Sequence, residues 1–227
     1  MELTKESIKT VSNQTFKDRS YFFRNLLIFC FIAFAVLTYF VKSNPYFPFD
    51  LKITLFIQRF NYFWFDFLMR FMTEIGYFFW GSVMVSLFSL LLFYFRGKKD
   101  AAFLIFSSLG ALVLSEVLKN IVLRPRPDPL LILQVETFKR ADSFPSGHVL
   151  FAIGLYGFLL FIVYSWIKNL WLRRIVMALF LLIIILMGLS RIYLGSHWFS
   201  DTLGAYLIGF VWLYLVILAY RYSNPKK

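Results

Sequence analysis

The chain has 227 residues, 60% of them hydrophobic and 22% aromatic, with 16% charged and a net charge of +12 at neutral pH. A soluble domain of this size carries nearer a quarter charged residues, and the mean hydropathy of +0.70 excludes an ordinary soluble globule. The positive balance points to membrane orientation and not to nucleic acid, because Lys and Arg gather in the short cytoplasmic loops of membrane proteins.

Residues 1–24 form a polar, partly basic lead-in. The first apolar run, 25–41, is followed by no small-residue cleavage site and is read as a retained helix, not a signal peptide. Cys30, the one cysteine, lies in this run; it can form no internal disulfide and reads as a small apolar-face residue. Residues 42–74 are aromatic-rich but carry Lys52, Arg59, Asp66 and Arg70 at spacings of seven, seven and four. That pattern sets the charges on one side of a helix, with Phe56, Phe60, Phe63, Phe67 and Phe71 largely opposite. Asp66, Arg70 and Glu74 are placed to pair at i,i+4. No uncharged stretch here is long enough to span, so an interfacial amphipathic helix is expected between spans one and two, with a plain connector as the alternative.

Further apolar runs cover 75–95, 101–115, 149–167, 175–190 and 202–220. A bilayer core about 30 Å thick needs about 20 mainly apolar residues, and the shorter runs gain from their flanks. The expectation is an all-α, polytopic membrane protein: six transmembrane helices in one domain, 1–227. Arg96-Gly97-Lys98-Lys99-Asp100 reads as a tight inner turn. Arg124-Pro125-Arg126-Pro127-Asp128-Pro129 ends the third span, because its prolines remove donors and fix φ. Gly204 and Gly209 are wrongly spaced for a G-x-x-x-G helix-dimer motif. With the N-terminus inside, segments 1–24, 96–100, 168–174 and 221–227 hold 14 cations in 43 residues, whereas the outer segments 42–74, 119–148 and 191–201 hold 10 in 74. Both termini are therefore expected in the cytoplasm.

The chain's two histidines stand in polar clusters within this apolar background. His148 ends Pro145-Ser146-Gly147-His148; His197 follows Ser190-Arg191 by five intervening residues and precedes Asp201 by three; Lys119 precedes Arg126-Pro127 by six. Lys119 ends span three, His148 opens span four, Arg191 ends span five, and His197 and Asp201 open span six, so the clusters, at 119–201, share the outer face. Charged groups at membrane depth are costly and usually functional. Lys119, Arg126 and Arg191 suit the negative oxygens of a phosphate, the arginines in bidentate fashion. Ser146 and Gly147 open a helix, where free N–H groups attract an anion. His197 and Asp201, four apart, share one helical face. A carboxylate holding one ring nitrogen leaves the other free to attack phosphorus, and His148 is suited to protonate the leaving oxygen and later activate water. No Asp/His/Cys spacing suggests a metal, and no cofactor is expected.

These three blocks resemble the three-part signature of the type 2 phosphatidic acid phosphatase superfamily over about residues 100–205. Each block alone is weak; three in order, with matching internal spacings, are specific. The resemblance implies a phosphohistidine on His197, oriented by Asp201, with His148 as general acid and base. It implies that Lys119, Arg126, Ser146, Gly147 and Arg191 bind phosphate, and that a membrane lipid phosphate is the substrate, cleaved without a metal. Undecaprenyl diphosphate, phosphatidylglycerol phosphate, phosphatidic acid and lipid A phosphate are all admissible. The alternatives are a phosphotransferase that passes the group to a hydroxyl, or a non-catalytic lipid-binding protein of the same fold. Compact loops favour a bacterial cytoplasmic membrane, with the site extracytoplasmic. Around the site, Glu116 reads as a partner for a site cation. Arg124 reads as a snorkelling anchor; Tyr193 and Trp198, beside site residues, are explained equally well as members of an aromatic belt; Lys139, Arg140 and Asp142 read as a solvated loop face by default, with contact to a head group as the alternative.

Overall fold

The computed structural model describes the backbone of residues 5–135 and 142–223, and the side chains from residue 21 onward within those ranges. Its elements are helical: α1 (Lys5–Ser43), α2 (Pro48–Gln58), α3 (Phe63–Gly76), α4 (Phe78–Arg96), α5 (Lys98–Val122), α6 (Gly147–Ala152), α7 (Phe158–Trp166), α8 (Leu170–Tyr193) and α9 (Phe199–Tyr222). A π-helical turn, Ile153–Gly157, joins α6 to α7 as one span. Among the described residues six helices are long and apolar enough to cross a membrane: Tyr21–Ser43, Phe78–Arg96, Lys98–Val122, Gly147–Trp166, Leu170–Tyr193 and Phe199–Tyr222. The protein is thus multi-pass, with spans where the apolar runs put them.

Span four is the central post. It is 72% buried within the protein, against 17–39% for the other five, and α5, α8 and α9 pack around it. Its interior face carries Val149, Leu150, Leu155, Phe158 and Ile162, all nearly inaccessible. Lipid-facing residues such as Phe29, Leu90 and Leu181 stay exposed on the outer helices. That division suits a bilayer, in which apolar side chains need no protein cover.

Local chemistry sets the helix ends. Gly97 takes φ +99°, a left-handed geometry open to glycine, and makes the tight turn between α4 and α5. Leu123 adopts αL at the end of α5, and the proline-rich stretch beyond it cannot continue the helix. The following loop is stapled back on itself, the Ser143 N–H donating to the Arg124 carbonyl at 2.8 Å, and onto α9, the Ser146 N–H donating to the Asp201 carbonyl at 3.2 Å.

Residues 42–74 are helical but in two pieces. α2 begins with Pro48 in its first turn, where a missing N–H costs nothing. The chain leaves helical geometry after Arg59 and re-enters through an extended Tyr62. The charge stripe expected along one helix is therefore cut between Arg59 and Asp66. The buried side chains are a third set, Asp50 and Thr54 on α2 and Met69, Met72 and Thr73 on α3. Phe56, Phe60, Phe63, Phe67 and Phe71 all remain exposed. The expected Asp66–Arg70 pair forms, at 2.7 Å. Lys139 and Arg140 lie outside the described residues.

Candidate active site

Four helix ends meet at one end of the bundle, and each brings a polar residue foreseen in the sequence. Lys119 stands at the C-terminal turn of α5, 9% exposed, with its ammonium 3.1 Å from Glu116 one turn earlier. The expected partnership of Glu116 is thus present. Arg191 closes α8, 2% exposed, and donates from Nη1 to the Thr73 hydroxyl at 2.9 Å. Arg126 is held by the Ser196 carbonyl at 2.8 Å. The titratable groups facing His148 are Arg191, His197, Lys119 and Arg126; those facing His197 include Arg126, Arg191 and Lys119. Both imidazoles and all three cations therefore share one neighbourhood.

Buried polar atoms of the site lack a protein partner: Ser146 is inaccessible, and its hydroxyl and the His148 Nε2 have no protein hydrogen bond. Buried polar groups without partners are rare and call for an explanation. An anion with several acceptor oxygens, lying among three cations, is one. Gly147 keeps the wall open: a Cβ there would lie 3.1 Å from the Ser115 hydroxyl and 3.5 Å from the Lys119 ammonium.

His197 and Asp201 face each other, with Nδ1 to Oδ2 at 3.6 Å, beyond ordinary hydrogen-bond reach. Asp201 is heavily engaged. Its Oδ2 accepts from the Trp198 N–H at 2.9 Å, capping α9, and its Oδ1 accepts from Arg124. Burial first, then Arg126, Arg191 and Lys119, push the His197 imidazole well below the ordinary histidine value of 6.5, with the Ser143 backbone opposing. His197 is therefore held neutral, the form in which a ring nitrogen is nucleophilic.

Three sequence readings are corrected. Arg124 does not snorkel: its side chain is 0% exposed and lies between Asp50 and Asp201. Tyr193 and Trp198 are 4% and 1% exposed, so they are packed inside the protein and not in a lipid-facing belt. Trp198 stacks on Tyr46 with ring centroids 5.1 Å apart, and Tyr193 meets Phe65 edge-on. Asp142 is half-buried and bridges to Pro125.

Several residues at the site gave no sequence signal. Tyr77 stands edge-on to His148 at 5.1 Å, and a Cβ on Gly76 would fall 2.4 Å from the His148 Cδ2. Asp50, Thr73 and Ser200 brace the site from behind. A cavity of about 480 Å³ opens beside His148 and Lys119 and runs between α4 and α5, past Val85, Ile105, Leu109 and Leu112. Its wall is mostly apolar, with polar groups at one end.

A family model described as the PAP2 superfamily matches residues 100–225. Phosphatidylglycerophosphatase B of Bacillus subtilis (strain 168) is 31% identical over 129 residues, 55% of this chain and 60% of that protein. Undecaprenyl-diphosphatase of Sulfolobus acidocaldarius is 31% identical over 144 residues, 61% of this chain and 64% of that protein. The matched region thus spans less than two thirds of either relative. Among solved structures, a transmembrane PAP2-type phosphatidylglycerolphosphate phosphatase from Bacillus subtilis superposes with a TM-score of 0.73 at 24% identity, covering 88% of this chain and 98% of that one. Aquifex aeolicus LpxE gives a TM-score of 0.61 at 25% identity, covering 76% and 96%.

Proposed function

Because the chain belongs to the PAP2 superfamily, we propose that it is an integral membrane phosphatase acting on a lipid phosphate monoester or diphosphate. The observation that carries this reading is the gathering of His148, His197, Lys119, Arg126 and Arg191 in one neighbourhood, with His148 and Lys119 lining one end of a mostly apolar cavity. A phosphate fits the first part and an alkyl chain the second. The names of the two matched relatives, phosphatidylglycerophosphatase B and undecaprenyl-diphosphatase, favour the same substrate class.

In the proposed mechanism Lys119, Arg126 and Arg191 neutralise the phosphoryl oxygens, and Ser146 and the N–H groups opening α6 donate to them. The free ring nitrogen of His197 attacks phosphorus. The bond from phosphorus to the lipid oxygen breaks, and that oxygen takes a proton from His148. Neutral His148 then accepts a proton from water, the water oxygen attacks phosphorus, and the N–P bond breaks to release phosphate. Asp201 orients His197 and offsets the positive charge that the ring carries in the intermediate. The residues that stabilise charge here are cationic side chains, and the reaction needs no metal.

The excess of Lys and Arg in the segments read as inner supports termini in the cytoplasm and a site on the extracytoplasmic face of the cell membrane. The test is phosphate release by the purified protein from a panel comprising undecaprenyl diphosphate, phosphatidylglycerol phosphate, phosphatidic acid and lipid A phosphate. Release from at least one of them is expected, undiminished by a chelator. Phosphate recovered only on an added hydroxyl acceptor makes the protein a transferase, and no turnover with any lipid removes the proposal.

A further inference from the structure

Behind the residues proposed to face phosphate lies a second polar cluster built on Arg124 and Asp50, neither of which is a defining position of the three sequence blocks. Arg124 donates from Nη2 to Asp50 at 2.9 Å, from Nη1 to Asp201 and to the Ser200 hydroxyl, and from Nε to the Pro45 carbonyl at 3.0 Å. Asp50 in turn accepts from the Ser200 N–H at 2.8 Å, the Ser200 hydroxyl at 2.7 Å and the Phe47 N–H at 3.2 Å. The side chains of Arg124, Asp50 and Asp201 are all 0% exposed. One guanidinium is thus shared by two buried carboxylates, and one of those carboxylates faces His197.

We propose that Asp50 and Arg124 are positioning residues of the catalytic centre, which fix the Asp201 carboxylate towards His197 and temper its charge. This inference rests on the phosphatase reading. With Oδ1 committed to Arg124 and Oδ2 to the Trp198 N–H, the Asp201 carboxylate has lost its rotational freedom. The first turn of α9 is held from both sides, by Asp201 on Trp198 and by Asp50 on Ser200. A fork with donors on several edges can hold two carboxylates and a hydroxyl at once, which an ammonium does less well. The guanidinium also offsets the negative charge His197 experiences, so the ring stays neutral beside a carboxylate. In this arrangement α2 has a role in the chemistry, because it carries Asp50 into the catalytic end of the bundle.

A purely structural ion pair is replaceable by apolar groups of similar size with little loss once the protein folds, and that separates the two roles. The experiment is steady-state phosphate release by the full-length enzyme in micelles, over a range of pH, for the wild type, Arg124→Lys, Arg124→Met and the double variant Asp50→Asn/Arg124→Met. The double variant removes Asp50 together with Arg124, so that Asp201, still capped by the Trp198 N–H and facing His197, is the one carboxylate of the cluster left. In the folded double variant kcat falls about 10- to 100-fold, the usual range for partners that orient a reacting ligand, while KM stays within about twofold because no phosphate contact is touched. The acid limb of kcat/KM moves to higher pH, since the lost guanidinium contacts Asp201 directly whereas the lost Asp50 carboxylate lies beyond it, and Asp201 then stabilises the His197 imidazolium unopposed. The other groups facing His197, namely Lys119, Arg126, Arg191 and His148, are unchanged in that comparison. Arg124→Lys keeps the wild-type acid limb, having kept the charge, with kcat still reduced. A folded double variant with wild-type kcat, an unmoved or lowered acid limb, or a loss confined to KM overturns the inference. A wild-type enzyme that releases no phosphate from any lipid overturns the phosphatase reading itself.

Discussion

His197 stands among three cations and is kept from becoming a fourth by burial and by their repulsion. The consequence for pH is definite in sign. Its value in the folded protein lies below 6.5, so the ring stays unprotonated as pH falls through the range where a free histidine charges. The acid limb of kcat/KM attributable to His197 is therefore expected below pH 6.5. The unfolded chain takes up the proton first, so stability contributed by neutral His197 is complete above 6.5 and is lost as pH falls from there towards the folded value. A pH–rate profile with its acid limb above 6.5 contradicts this. His197→Ala and His148→Ala are each expected to lower kcat by roughly 10³-fold or more, since residues acting as a unit fail together, while the variants still insert. Arg124→Met alone is expected to destabilise by about 3–5 kcal/mol, as it leaves the buried Asp50 and Asp201 carboxylates without their shared guanidinium; a thermal unfolding scan in detergent checks it. At this scale the residues proposed to face phosphate were legible in the sequence, because histidine and charge are conspicuous in an apolar chain. It hid those one step behind. Arg124 sits two residues from Arg126 in the same proline-rich stretch and looked like a surface anchor, and Asp50 is a lone acid among aromatics whose partners lie 74 and 150 residues away.

Helix ends, more than helix bodies, make this site. α5, α6, α8 and α9 each deliver their residue from a terminal turn, which is why the spans were legible from long apolar runs and their polar punctuation. The segment before α4 was less so. Its charge spacing suggested one continuous helix, but the chain breaks between Arg59 and Tyr62, and no proline or glycine marks the break. What the two helices bury, Asp50 and Thr73, is defined by contacts to α8 and α9 that periodicity cannot report. The joint between α3 and α4 is equally close to the chemistry. A Cβ at Gly76 would meet the His148 ring at 2.4 Å, so Gly76→Ala must displace that ring or the α3 end. Misplacement by about 1 Å can cost about 10²-fold in rate, and Gly76→Ala is expected to lower kcat by that order while KM changes little. A variant with normal kcat shows that the ring moves without consequence.

On the scale of the whole molecule, a central span shielded by the others carries His148, and the remaining helices leave an apolar passage between α4 and α5 leading to it. The charge asymmetry on which the proposed orientation rests was readable directly from the sequence; the passage was not, because it depends on how two helices splay. The orientation predicts that cysteines placed singly in residues 128–135, in a variant whose Cys30 is replaced, react with an impermeant reagent applied to intact cells from outside. Labelling only after the membrane is opened reverses the assignment. The central claim remains chemical, that His197 carries the phosphoryl group between lipid and water. The most direct measurement is rapid alkaline quenching of the enzyme turning over a ³²P-labelled lipid phosphate, followed by peptide mapping. The account predicts an acid-labile label on the peptide containing His197, absent from His197→Ala; turnover at full rate with no label there, or label on a different residue, contradicts it.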